Sequence, residues 1–306
     1  MNTDKSRRLD GSRPLDIHPE SSGLEKPLDP RLPQDLERSI FELAAASSTS
    51  KEVLVLMRIA WRVKDWLQPL LYRTIVPQYF RPMVPTIPLN VALDLLQGEG
   101  SQAMEYSVRS LCWHLTDPSG SHNPNLALHT IIESCPNISD LCLVTRAPRE
   151  SVLILDAMQH LLRLNLDARH LFAPERPEYG SALFRNVTHL ELFEEAPYLD
   201  TDLSTLVNLT HLALNIVSDV SAFHSRICTD TRLQCIDMPT LVDDRVVGMY
   251  GIDFIQDWIR GVTTGDDFWR AAERFIAARR IGKVDRSHNL VAYDDAMKNG
   301  VSIDSC

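Results

Sequence analysis

The 306-residue sequence predicts an α/β fold. Short parallel strands alternate with outer helices, a helical segment precedes them, and helices follow them at the C-terminus. Three observations predict this. First, one apolar spacing recurs six times: Val108-x-x-Leu111-x-Trp113, Ile138-x-x-Leu141-x-Leu143, Leu161-x-x-Leu164-x-Leu166, Val187-x-x-Leu190-x-Leu192, Leu209-x-x-Leu212-x-Leu214 and, more loosely, Leu233-x-x-Ile236-x-Met238. Second, the middle positions 111, 141, 164, 190, 212 and 236 lie 30, 23, 26, 22 and 24 residues apart. Third, the intervening stretches 126–132, 152–160 and 220–228 read as amphipathic helices, the first stopped by Pro136.

A period of about 20–29 residues with this spacing is the signature of a leucine-rich-repeat solenoid, and residues 105–244 resemble one. Asparagine is missing three positions past each last strand residue, where Thr116, Arg146, Arg169, Glu195, Val217 and Leu241 stand. An irregular array is therefore expected. Such arrays usually bind proteins on an extended surface.

The other elements follow in order. Residues 1–30 carry serine, proline and mixed charge without apolar periodicity and read as a flexible leader. Residues 31–76 read as helices: Leu36, Ile40, Phe41, Leu43 and Ala44 suit one helical face, 47–50 form a turn and N-cap, and Val63, Trp66 and Leu67 continue. Prolines 77, 82, 85 and 88 mark a boundary, so 77–104 is read as a linker and a first helix. Residues 245–284 predict a strand near 245–249, a helix over 252–260 and a second helix after Asp266-Asp267 that ends at Arg279-Arg280 and Gly282. Acids at its start and cations at its end suit the helix dipole, and glycine suits the C-cap. A repeat array needs such terminal caps to shield its last unit. Residues 285–306 read as a ragged tail.

Leu32-Pro33-x-x-Leu36, followed by Ile40-Phe41 and Leu43 and later by Val63 and Trp66, resembles an F-box or F-box-like motif. The spacing from valine to tryptophan is one residue short, and the typical Val-Cys pair is missing. Together with the repeats, the chain resembles the F-box-like, leucine-rich-repeat-type proteins abundant in mushroom-forming fungi. The resemblance implies that Leu32, Pro33, Leu36, Ile40 and Phe41 touch a Skp-type adaptor of a cullin ubiquitin ligase, while the repeats select an unknown protein target. A repeat scaffold unconnected to ubiquitin is the alternative, with the N-terminal helices merely capping the array.

Composition narrows the classes. A net charge of −10 disfavours non-specific nucleic-acid binding, and 12 glycines lower the prior for glycine-dependent nucleotide folds. No signal sequence and no apolar run of membrane-spanning length is visible. Six cysteines without CxxC pairs read as reduced thiols, which suits the cytoplasm or nucleus. Three Asn-x-Ser/Thr sequons begin at Asn137, Asn186 and Asn208 in one repeat phase, which fits turn residues better than sugar sites. Phosphate-loop, nucleophile-elbow and HExxH motifs are missing, so no catalytic residue and no cofactor is expected. His189 and His211, each in a Thr-His-Leu context one repeat apart, are the one pair that could approach a shared ion, but two ligands do not make a zinc site.

Strand alternation assigns the remaining side chains to the other face. Asp140, Arg163, Asp167, His189, Glu191, Phe193, His211 and Asp237 are thus the candidate target-binding face, acidic with one central cation. Phe193 is its aromatic anchor.

Overall fold

The computed structural model describes residues 32–77, 85–98, 100–113, 124–144, 155–166, 179–193, 205–214, 232–237, 243, 245–288 and 290–299. The expected leader, residues 152–154, the linking stretch 220–228, Asp167 and the six positions following the strands lie outside the described residues, while 155–160 of the other linking stretch is mostly turn rather than helix.

The first elements are α1 (Gln34–Ala46), α2 (Ser50–Leu56) and α3 (Trp61–Tyr72). Thr49 starts α2 with a capping box: its hydroxyl accepts from the Glu52 N–H, and the Glu52 carboxylate accepts from the Thr49 N–H. These helices have a core of their own, built from Ala45, Val53, Val63, Trp66, Leu67 and Leu71. Phe41 packs into it, with its ring centroid 6.4 Å from that of Trp66. The Ser50 hydroxyl bonds both the N–H and the carbonyl of Thr86, tying this unit to the chain that enters the sheet.

The strands are β1 (Thr74–Val76), β2 (Ile87–Pro88), β3 (Ser110–Trp113), β4 (Asp140–Leu143), β5 (Arg163–Leu166), β6 (His189–Leu192), β7 (His211–Leu214), β8 (Cys235–Asp237), β9 (Val246–Tyr250) and β10 (Leu290–Ala292). They form a single sheet in the order 10-9-8-7-6-5-4-3-1-2 with every pair parallel. The expected triplets lie in register: Leu111, Leu141, Leu164, Leu190, Leu212 and Ile236 are successive cross-strand partners. All six are fully buried. Their shared core takes in α4 (Leu89–Leu96), α5 (Ser101–Ser107) and α6 (Pro124–Ser134) through Leu93, Met104 and Ile131. Two features were not foreseen in 77–104: β2 extends the sheet beyond β1, and α5 crosses the expected boundary at 105.

Two C-terminal helices, α7 (Phe254–Thr264) and α8 (Phe268–Arg280), lie on the opposite face of the sheet. They reach along that face from β9 to β1 rather than standing only at the end of the array. Trp258 and Ile259 of α7 pack on Val76, Cys112 and Cys142. Phe268, Trp269, Ala272, Phe275 and Ile276 of α8 pack with Ala213, Cys235 and Val247. Gly261 permits the close approach of the two helices, since a Cβ there would stand 2.7 Å from the Asp267 side chain. Asp267 caps α8 by accepting from the Arg270 N–H, and Gly282 at φ 75° follows its last turn. The expected tail is partly ordered in the sheet: β10 pairs with β9, and α9 (Tyr293–Asn299) follows. The β3–β4 connection carries α6 on one face, and the β9–β10 connection carries α7 and α8 on the other. Both step along the sheet in the same direction, so these two crossovers have opposite hands.

Candidate functional site

The expected target-binding residues do come together, but beneath α7 and α8. Asp140, Arg163, His189 and His211 are successive cross-strand partners and form one row. Arg163 donates from Nη1 to Asp267 at 2.8 Å, and its Nε lies 3.6 Å from Asp140 Oδ1. The His189 and His211 rings stack with centroids 4.0 Å apart and planes 8° from parallel, and Trp269 meets both edge-on at 5.4 and 5.7 Å. His211 Nε2 is 3.1 Å from Glu273 of α8. A carboxylate only accepts, so neutral His211 carries its proton on Nε2. In the next row Asn165 donates to Glu191, which is 1% exposed. Phe193 packs edge-on against Phe254 at the start of α7, with centroids 5.7 Å apart. The backbone of Asp237 pairs with Ala213 and Val247, while its side chain lies outside the described residues.

Alternation therefore predicted the correct face of the sheet but not its covering. The signal was in α8, whose Phe268, Trp269, Ala271, Ala272, Phe275, Ile276, Ala278 and Arg279 are all buried. A helix apolar over that much of its circumference belongs inside a protein rather than at its end.

Burial sets the electrostatics of this layer. It lowers the His189 imidazole to about 3, helped by the nearby His211 and Arg163. It also lowers His211, against the pull of Glu273. The same cause raises Asp140, although Ser139 and Arg163 oppose it. Asp257 on α7 is buried and raised to about 7. It accepts from the Phe268 N–H, Arg260 and the Tyr293 hydroxyl, tying α7 to α8 and α9. The stacked imidazoles are wedged between Thr188, Thr210, Trp269 and Glu273 and do not converge on a common point. Among the described residues no group of three or more His, Cys, Asp or Glu could hold a metal ion, and no helix is long and apolar enough to cross a membrane.

The adaptor-binding residues of the resemblance divide in two. Leu32, Leu36 and Ile40 are 45%, 55% and 54% exposed, and Leu43 continues the stripe at 75%. Pro33 is exposed at the N-cap of α1, with φ −51°. Phe41 instead points into the helical core against Trp66. Helix α1 thus has two apolar faces: Phe41 and Ala45 turn inward, and Leu36, Ile40 and Leu43 at i, i+4 and i+7 turn outward.

A third surface lies where the strands begin. The Nδ2 of Asn137, Asn186 and Asn208 donates to the carbonyls of Glu105, Gln159 and Arg185, each in the preceding unit. Two residues further on, the hydroxyls of Ser139, Thr188 and Thr210 bond the carbonyls of Arg109, Leu162 and Thr188. The sequon residues are thus stitches between neighbouring repeats. In the β5 unit His160 and Leu162 occupy the equivalent positions.

No protein-family model matches this chain, and no curated protein matches its sequence.

Proposed function

We propose that the chain is a non-enzymatic recognition subunit. Its N-terminal helical unit docks on a Skp-type adaptor of a cullin ubiquitin ligase, and its sheet domain presents a target protein. The carrying observation is the outward stripe on α1, where Leu32, Leu36, Ile40 and Leu43 stay exposed although the helical unit already has a filled core. Surface patches of this kind mark interaction sites rather than folding requirements. The resemblance of Leu32-Pro33-x-x-Leu36 with Ile40 to the F-box supplies the identity of the partner. Phe41 supports the docking helix from within rather than touching the adaptor.

Replacing Leu32 and Pro33 together with alanine tests this. Both are exposed, so far-ultraviolet circular dichroism is expected to stay unchanged while adaptor affinity falls at least about tenfold, equivalent to ~1.4 kcal/mol. A wild-type protein that does not bind the purified adaptor removes the ligase reading and leaves the interaction scaffold.

A further inference from the structure

Helices α7 and α8 occupy the strand face, so a partner of the sheet domain needs another surface. An open groove of about 710 Å³ crosses the starts of β3 to β7, lined by residues that include Arg109, Asn137, His160, Leu162, Asn186 and Asn208. With strands about 4.8 Å apart it runs roughly 19 Å, enough for several residues of extended chain. We propose that this groove binds an extended peptide segment carrying an acidic residue beside an apolar one. The inference rests on the recognition reading above and names the surface and the chemistry of the target.

Three features carry it. The asparagine amides are fixed by their bonds to the preceding repeats, so their Oδ1 atoms are held in place as acceptors for the N–H groups of a peptide. The stitching pattern breaks at its centre. Where neighbouring units place asparagine and a hydroxyl residue, the β5 unit places exposed His160 and Leu162, the latter 46% exposed. An exposed leucine there does nothing for the stitch and offers an apolar contact inside a polar rim. Charge is the third feature. Among the described residues the lining holds Arg109 and an imidazole and no carboxylate, in a chain whose net charge is −10. The groove thus runs against the sign of the chain's net charge, and it favours an acidic ligand residue.

The test screens the intact chain against a displayed library of random short peptides, then measures single peptides by fluorescence anisotropy. Leu162→Glu and His160→Glu are the variants. Both residues are exposed, so the fold is expected to persist by circular dichroism. The expected result is enrichment of peptides with Asp or Glu near Leu, Ile or Phe, and at least a tenfold loss of affinity in each variant. Leu162→Met is expected to retain binding. No binding above background, binding unaffected by both variants, or selection of basic peptides would overturn the proposal. Adaptor affinity is measured on the same preparations. Adaptor binding without peptide binding defeats the groove alone. Peptide binding sensitive to Leu162→Glu, without adaptor binding, upholds the groove and defeats the ligase reading.

Discussion

Replacing Asp257 with asparagine should make the protein acid-labile, because that carboxyl balances the histidine layer under the same helices. The folded pKa of His189 is about 3 against an ordinary 6.5, so between those values the unfolded chain holds a proton that the folded one lacks. Stability from this group is complete above about pH 6.5 and is lost as pH falls toward 3. Asp257 runs the other way. Its folded pKa is about 7 against 3.8, so between those values the folded chain holds the extra proton, and stability falls as pH rises. Across about pH 4 to 6.5 the two slopes have opposite sign and each approaches ~1.4 kcal/mol per pH unit. The raised Asp140 adds to the Asp257 side and the lowered His211 to the His189 side. Asp257→Asn removes one arm of the balance. Relative to wild type, its unfolding free energy is expected to drop by on the order of 3 kcal/mol between pH 6.5 and 4. Urea unfolding followed by the fluorescence of Trp258 and Trp269, both buried in α7 and α8, reads this at several pH values. The difference between variant and wild type cancels the surface groups common to both. A difference curve flat from pH 4 to 6.5 refutes the argument.

The other predictions concern the two faces of the sheet. Leu190→Ala removes a fully buried side chain from the middle of the leucine register and should cost about 2–5 kcal/mol, measured by urea unfolding. Glu191→Lys is expected to abolish soluble expression rather than redirect binding, because it would place an ammonium in a buried layer beside Asn165. A folded, soluble Glu191→Lys protein by circular dichroism and gel filtration would show that α7 and α8 leave this face open.

The chain itself specified the strands, their order and their register. A triplet such as Leu190-x-Leu192 can bury its side chains on one face only if every neighbouring strand keeps the same phase, so local spacing dictates long-range pairing. Thr49 with Glu52, and Asp267 with Gly282, likewise fixed helix ends through bonds spanning a few residues. What covers the second face was not legible in the strands. Alternation places Arg163, His189 and His211 opposite the leucines, and those residue types suit water as readily as a buried polar layer. Only the tertiary structure supplies Asp267, Trp269 and Glu273 as their partners, from about a hundred residues away to about sixty. The exposed stripe on α1 was legible as an apolar face, but sequence spacing could not separate Phe41, turned inward on Trp66, from Leu36 and Ile40, turned outward. That division depends on where α3 packs, and packing against a distant helix is decided by the whole fold rather than by the period of one helix.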